Sequence, residues 1–361
     1  MLQISDWLRI WQNDYILKNF SLYHYRKMEN INQIIWEMKK ENKKSDPKLL
    51  NKFLWVMVGG AVWDALWAPF EFLRMGEFER EDGEYHDDGK FQEWERTDDT
   101  AMALLLADSL IRCKWFDIED QMRNYYKWHK TWYMWLRDYP EWEWIQISKM
   151  MYFYEMYLNG KFTDKPWGTD LSWEYMDGNG SLMRIWPVPL FYFKEPEEAL
   201  FYAWESSKST HYTDLCIDSC IYYTWLILWA MNWVSKKELL TPYYSPIKDY
   251  WKNRKIADIL KPIVEWSYKE KDSYEIKPSG YVVETLETAL WWFYKAEDFK
   301  DWMELVINLW WDADTTACIY WYLAWAYYGY DKIPQSRRDW LVQWDRIERI
   351  AKKLYDNNFS K

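Results

Sequence analysis

Residues 308–329 read NLWWDADTTACIYWYLAWAYYG, a stretch that places two carboxylates directly ahead of a long apolar run. Asp312 and Asp314 are followed at once by Thr315 and Thr316, and the run behind them is long enough for about three helical turns. Asp and Thr favour a helix N-terminus because their oxygens accept hydrogen bonds from unpaired backbone N–H groups. The same oxygens, when clustered, also suit Mg²⁺, Mn²⁺ or Ca²⁺. This pattern alone is compatible with either a cap or a cation site.

A second stretch of the same kind favours the cation site. Residues 97–100 read TDDT and stand just ahead of another apolar run, at residues 101–110. Carboxylate and hydroxyl oxygens at two helix starts offer the donor atoms that a hard cation takes. The two stretches together therefore favour a cation site over a plain helix cap.

At this point the sequence resembles a known family, the ADP-ribosylglycohydrolases of the dinitrogenase-reductase-activating glycohydrolase type. The resemblance begins with TDDT and with NLxxDxDT. Four further segments agree and stand in the family's order: residues 60–71 (GAVWDALWAPFE), 178–184 (GNGSLMR), 209–211 (STH) and 280–290 (GYVVETLETAL). One such motif is weak evidence, whereas six in order over roughly residues 52–340 are specific.

The resemblance implies an all-α fold, a single compact multi-helix orthogonal bundle of the ADP-ribosylglycohydrolase type. We expect a family-like domain over residues 52–345, an N-terminal helical extension over residues 1–51 and a C-terminal helix end or tail over residues 346–361. The residue pattern agrees with this class, because no convincing strand pattern is present. Helical patterns cover residues 214–234, 255–270, 281–296 and 299–309, and one more amphipathic helix is expected between residue 333 and the end of the chain.

The resemblance also implies an activity, the metal-dependent removal of ADP-ribose from modified protein side chains. The N-glycosidic bond to arginine is the commonest substrate in the family, and the O-linkage to serine is a known variant. Two Mg²⁺ ions are implied, with Mn²⁺ as a possible substitute. The implied metal ligands are Thr97, Asp98, Asp99, Asp312, Asp314 and Thr315. The catalytic carboxylate that steers water and protonates the leaving group is expected to be Glu71 or Asp99.

The remaining family motifs imply a set of residues that bind the substrate. Taken without the family, each has a plainer interpretation: a lone Asp inside an apolar helix is usually structural, a Gly-rich turn is common, and a single His is more often a structural residue than a ligand. Backbone N–H groups exposed at such a turn can also hold a phosphate. The expected substrate-binding residues are Asp64, Asp177, Gly178, Asn179, Gly180, Ser181, Met183 and His211.

Tryptophan replaces glycine at several family positions. The six positions are Trp63, Trp67, Trp310, Trp311, Trp321 and Trp325. Glycine permits positive φ and close backbone approach, so an indole is not a conservative replacement. The chain has 31 Trp and only 11 Gly, whereas about 25 Gly are expected at this length. We hypothesise that the gene comes from a lineage that reads UGA as glycine and that its UGA codons are written here as tryptophan. The alternative is a diverged, genuinely Trp-rich protein, which UGG at all 31 codons would establish.

Composition limits the classes of partner. The net charge of −11 argues against general binding of nucleic acid or of acidic membranes. The four Cys form no CxxC pair, and we interpret them as reduced thiols of a cytoplasmic protein. The N-terminus lacks the pattern of a secretory signal. The longest apolar run, at residues 219–234, is too short for a membrane span and predicts a buried helix.

Two other functions are compatible with the sequence. One is a non-catalytic ADP-ribose-binding or immunity-type protein on the same fold, which genuine Trp310 and Trp311 beside the acidic pair would favour. The other is a metal-dependent hydrolase of a different nucleotide sugar. Retention of all six expected metal ligands favours the ADP-ribosyl hydrolase, and metal-dependent release of ADP-ribose would discriminate it from a binding protein.

Overall fold

A computed structural model gives the fold. It describes residues 46–70, 95–131, 145–167, 177–245, 250–297, 312–329, 339 and 341–359. The α-helices are α1 (Pro47–Trp67), α2 (Asp98–Cys113), α3 (Ile118–Thr131), α4 (Ile145–Leu158), α5 (Pro187–Phe191), α6 (Pro196–Lys208), α7 (Asp214–Met231), α8 (Lys236–Leu239), α9 (Tyr250–Asn253), α10 (Lys261–Val264), α11 (Val282–Lys295), α12 (Ala313–Tyr328) and α13 (Trp344–Phe359). Short 3₁₀ turns span Ala68–Phe70, Asn179–Ser181, Asp258–Leu260, Ser267–Glu270 and Ser273–Glu275.

The predicted all-α class is confirmed. The described residues form helices and turns, and a single antiparallel bridge, between Gly178 and Tyr281, is the one extended pairing among them. Asp46 caps α1 by accepting from the N–H of Lys48 at 2.8 Å, and Pro47 stands at the first helical position, where its missing N–H costs nothing. The domain boundaries proposed at residues 51/52 and 345/346 stay predictions.

One predicted helix is wrong in its extent. Residues 255–270 form α10 and two 3₁₀ turns instead of one continuous helix. Pro262 lacks an N–H, and Trp266 adopts the left-handed conformation with φ of 79°, so helical hydrogen bonding cannot run through this segment. The predicted helices at residues 214–234 and 281–296 correspond to α7 and α11, and the one at residues 299–309 lies outside the described residues.

The core is centred on α1 and α12, which share the most extensive interface among the described helices. α1 is long and apolar enough to cross a membrane by length and composition, but 83% of its apolar window is buried inside the protein. It is therefore the central helix of the bundle. α7, which contains most of the apolar run at residues 219–234, is buried almost throughout as predicted.

The interface between α1 and α12, called here the helix seam, is filled by indole rings. Trp63 stacks on Trp321 with ring centroids 4.5 Å apart, and Trp321 stacks on Trp325 at 4.9 Å. The two glycines that remain on α1 are tightly enclosed, because a Cβ on Gly59 would collide with Trp325 and a Cβ on Gly60 would collide with Tyr322. The seam thus combines rings from both helices with the bare backbone of Gly59 and Gly60 on α1.

Candidate active site

Asp64 holds the start of α2 in place. Its Oδ1 accepts from the backbone N–H of Thr97 at 2.9 Å and from the Thr97 hydroxyl at 2.7 Å, and its Oδ2 accepts from the N–H of Thr100 at 3.1 Å. The carboxylate is fully buried and satisfies N–H groups that a helix start leaves without intrahelical partners. Asp64, which the family motifs suggested as a substrate ligand, therefore fixes where the TDDT segment lies.

The start of α12 meets the start of α2 at Asp99. The hydroxyl of Thr315 donates to Asp99 Oδ2 at 3.2 Å, and the hydroxyl of Thr97 lies 3.1 Å from the same oxygen. Asp314 Oδ1 accepts from the N–H of Thr315 at 2.8 Å. Both helix N-termini therefore point their positive ends at one region, which favours negative charge there. We call Asp64, Asp99, Asp312 and Asp314 the acidic cluster.

Asn179 ties the acidic cluster to the Gly-rich loop. Its side-chain Nδ2 donates to Asp312 Oδ2 at 2.6 Å and to Thr285 Oγ1 at 3.1 Å. The loop is itself fixed to the start of α11, because the N–H of Asn179 bonds to the carbonyl of Gly280 and the N–H of Val282 bonds to that of Asp177. Asn179 thus orients a cluster carboxylate, whereas the family resemblance implied that it binds the substrate.

Burial and mutual repulsion make the acidic cluster electrostatically costly. Burial, together with the charges of Asp99, Asp312 and Asp64, raises the pKa of Asp314 well above its usual range. Burial raises the pKa of Asp312 to about 6. Arg96 lies near the cluster, and burial lowers the pKa of Arg96 to about 10 against the favourable charge of Asp64. A bound cation would relieve this repulsion.

The residues present fit a hard cation. Asp312 Oδ1 is buried and receives no hydrogen bond from the described part of the chain, so this oxygen can coordinate a cation. The donors around it are carboxylates and hydroxyls, which are the ligands that Mg²⁺ and Mn²⁺ prefer. Asp98 is also buried in the first turn of α2.

A thiol lies beside the acidic cluster, which the sequence did not predict. One ligand atom each from Asp64, Asp99 and Cys318 lies within 4.8 Å of the other two. Cys318 stands four residues after Asp314 and so on the same face of α12; that spacing was the available signal. The thiol donates weakly to the carbonyl of Gly60 at 3.6 Å, and burial raises the pKa of Cys318 well above its usual value, so it remains protonated.

The Gly-rich loop, residues 177–181, packs against His211. A Cβ on Gly180 would lie 2.9 Å from His211 Cε1, and a Cβ on Gly178 would lie 3.5 Å from His211 Nε2. Ser181 accepts from the hydroxyl of Ser207 at 3.0 Å inside the core. Two of the expected substrate ligands differ in access: Asp177 is partly exposed, whereas Met183 is fully buried.

Three residues singled out in the sequence lie outside the described residues, namely Glu71, Trp310 and Trp311. Arg96 and Arg184 are functional candidates that sequence reasoning missed. Both are fully or almost fully buried, at 2% and 0% exposure. A charged residue inside a motif gives no sign of its burial, and only the packing of distant segments shows it.

The sequence matches the model of the ADP-ribosylglycohydrolase family over residues 45–360. The chain belongs to this family. The family assignment made from the six motifs is therefore confirmed, and with it the enzyme class, a glycosidase.

Named relatives and a solved structure agree with the family assignment. The ADP-ribosylarginine hydrolase Tri1 of Serratia proteamaculans (strain 568) is 29% identical over 307 residues, covering 85% of this chain and 79% of that protein. The ADP-ribosyl-(dinitrogen reductase) glycohydrolase of Rhodospirillum rubrum is 25% identical over 318 residues, covering 86% and 96%. A solved structure described as an ADP-ribosylglycohydrolase-related protein complex matches with a TM-score of 0.70 and 29% identity, covering 87% of this chain and 99% of that chain.

Proposed function

We propose that this ADP-ribosylglycohydrolase family member removes ADP-ribose from modified arginine side chains and that it uses two Mg²⁺ ions, or Mn²⁺, to do so. The observation that carries the proposal is the acidic cluster, in which two helix N-termini converge on buried carboxylates and Asp312 Oδ1 receives no hydrogen bond from the described residues. The relatives named ADP-ribosylarginine hydrolases support arginine as the modified residue.

The cations would be held by oxygens from the two helix starts. The proposed ligands are Thr97, Asp98, Asp99, Asp312, Asp314 and Thr315. When bound, the cations supply Lewis acidity and orientation at the ribose next to the bond that breaks. Asp64 keeps the first helix start in place, and Asn179 keeps Asp312 in place, so the ligands are oriented before the substrate arrives.

Cleavage needs a proton at the leaving nitrogen and a water at the anomeric carbon, because the transition state has oxocarbenium character. A carboxylate beside that carbon can take the proton from water and deliver one to the guanidine. We propose Asp99 or Glu71 for this role. The Thr315 hydroxyl donates to Asp99 Oδ2 at 3.2 Å and so holds that oxygen in a defined position.

The proposal includes a cytoplasmic protein of bacterial origin that acts on ADP-ribosylated proteins or binds ADP-ribose, without nucleic-acid or membrane partners. Four free thiols and a net charge of −11 support the compartment and the partners. The bacterial sources of the named relatives support the origin.

The test is release of ADP-ribose from two peptides, one modified on arginine and one on serine, with Mg²⁺ present or removed by a chelator. We expect turnover of the arginine-linked peptide that stops with the chelator and returns with added Mg²⁺. Turnover of the serine-linked peptide alone would overturn the linkage. Binding of ADP-ribose without turnover of either peptide, with Mg²⁺ present, would identify a binding protein instead.

A further inference from the structure

Arg184 closes the GNGSLMR segment and is completely buried. Its Nη1 donates to the carbonyl of Gly180 at 3.1 Å, and its Nη2 donates to Ser209 Oγ at 3.0 Å and to Thr210 Oγ1 at 2.6 Å. Its guanidinium carbon lies 4.9 Å from the centre of the Tyr125 ring. No carboxylate contacts Arg184 in the parts of the chain that the structure describes. A buried charge is costly without an ionic partner, so the hydrogen bonds that Arg184 makes to neutral oxygens carry its stabilisation.

The shortest of these hydrogen bonds connects Arg184 to His211 through the Thr210 hydroxyl. Thr210 Oγ1 accepts from Arg184, and it lies 2.7 Å from His211 Nδ1. A threonine hydroxyl has one hydrogen to donate, and among the described residues His211 Nδ1 is its one acceptor. The guanidinium also polarises that hydroxyl, which makes it a better donor. A neutral ring whose Nδ1 accepts this hydrogen bond carries its proton on Nε2.

The ring is neutral as well as oriented. Burial and the charge of Arg184 lower the pKa of His211 well below its ordinary value. The protonated edge of the ring faces the Gly-rich loop, since a Cβ on Gly180 would lie 3.1 Å from Nε2 and one on Gly178 would lie 3.5 Å from it. Glycine at these two positions places backbone without a side chain against that edge, while the ring itself is 1% exposed and Gln146 Oε1 would lie 3.3 Å from a Cβ on Gly178.

We propose that Arg184 is a positioning residue: acting through Thr210, it holds His211 in the Nε2–H tautomer, which donates a hydrogen bond to an oxygen of the ADP-ribose bound at residues 177–181. This inference rests on the proposed function for the identity of the ligand, but not for the tautomer. A neutral donor of fixed direction selects an oxygen acceptor by geometry, on either the diphosphate or the distal ribose.

The experiment measures the tautomer and the affinity separately. Protein labelled with ¹⁵N-histidine gives long-range ¹H–¹⁵N spectra in which the two ring nitrogens are distinguished, and His211→Gln assigns the signal among the four histidines. We compare the wild type with Thr210→Val, which removes the hydroxyl at nearly constant shape, and with the matched control Thr210→Ser, which keeps it. We then measure Kd for ADP-ribose and for ADP.

We expect the wild type and Thr210→Ser to show the Nε2–H tautomer without ligand. Thr210→Val should show a mixture of tautomers and bind ADP-ribose about tenfold more weakly, the value of about one hydrogen bond, while Thr210→Ser stays within about twofold. An equal loss with ADP places the acceptor on the diphosphate, and a loss confined to ADP-ribose places it on the distal ribose. Either pattern supports the proposal.

An Nδ1–H tautomer in the wild type would overturn the proposal, whatever the variants do. Unchanged tautomer and affinity in folded Thr210→Val would overturn it too. Failure of the proposed function is a separate result, because the tautomer is measured without ligand: the predicted spectrum in a protein that releases no ADP-ribose would refute the hydrolase and leave the positioning of His211 standing.

Discussion

Two regions of the molecule depend on glycine, and they differ in what the glycine does. In the helix seam between α1 and α12, Trp63, Trp321 and Trp325 stand where the family motifs led us to expect glycine, and the three rings stack into one layer. In the Gly-rich loop, Gly178 and Gly180 are kept and lie against His211. Glycine in a seam sets the distance between two helices, whereas glycine in the loop leaves room for the His211 ring against the backbone.

The acidic cluster lies between these two regions and belongs to both. Asp64 directly follows Trp63 on α1, yet its hydrogen bonds to Thr97 and Thr100 are complete. Asn179 reaches from the loop to Asp312. The helix starts that define the cluster are thus held by polar contacts, whereas the seam behind them is held by apolar packing.

Peptide masses from protein isolated from its native cell should have the largest effect on the comparison between seam and loop, because they show whether the seam contains tryptophan or glycine. Buried indole N–H groups usually have an acceptor, but those of Trp225 and Trp229 have none within the described residues, which favours misassigned codons. We expect positions 310, 311, 321 and 325 to weigh as glycine. Tryptophan masses there, or UGG at every Trp codon, would reject the hypothesis.

Asp314→Asn should abolish most of the activity. Loss of a metal-site carboxylate should reduce turnover by at least about a hundredfold. Because the pKa of Asp314 is raised by burial and by three neighbouring carboxylates, the metal-free variant should unfold at a temperature no lower than that of the wild type. The measurements are turnover and Tm with and without Mg²⁺.

The control for Asp314→Asn is Asp345→Asn, which alters an exposed ion pair with Arg349 on α13. It should retain both turnover and the rise in Tm with Mg²⁺. If Asp314→Asn kept the Mg²⁺-dependent rise in Tm, the acidic cluster would not be the metal site.

Gly60→Ala tests the helix seam. Alanine normally stabilises a helix interior relative to glycine, but here its methyl would collide with the Tyr322 ring. We expect a loss of about 1–3 kcal/mol in the free energy of unfolding, measured with a denaturant. Gly160→Ala is the control, because open space surrounds it and only its φ of +66° opposes the substitution. A stabilised Gly60→Ala would mean that the seam is looser than described.

Gly180→Ala tests the loop and should have the smallest effect on stability. Its methyl would lie 2.9 Å from His211 Cε1, so the ring must shift by a few tenths of an ångström. We expect the Tm to change little and the Kd for ADP-ribose to rise about tenfold, the loss of about one oriented hydrogen bond. An unchanged Kd would show that glycine in the loop is not needed for ligand binding, and the loop would then not differ from the seam in what its glycine does.

The starts of the key helices could be predicted from the sequence, because they depend on local chemistry. Asp312 and Thr97 occupy the N-cap positions of α12 and α2, as expected for Asp and Thr before an apolar run, although neither side chain accepts a hydrogen bond from its own helix start. The family motifs also predicted that carboxylates far apart in the sequence belong to one site. These inferences required no knowledge of packing.

What the sequence could not predict depends on contacts between distant segments. Asp64 caps α2 from the middle of α1, and Arg184 acts on His211 across 27 positions of chain. Cys318 lies in the site because the face of α12 that carries it packs toward Asp64 and Asp99. The break at Trp266 is a left-handed residue that is not glycine, for which no propensity rule gives a signal.

The central claim is that the acidic cluster holds catalytic cations, and a crystal grown with Mn²⁺ tests it most directly. Anomalous scattering locates manganese independently of any assumption about the site. We predict two peaks bounded by Asp99, Asp312 and Asp314, both absent in Asp314→Asn or after chelation. No peak within coordination distance of these carboxylates, in crystals of protein that binds ADP-ribose, would contradict the account.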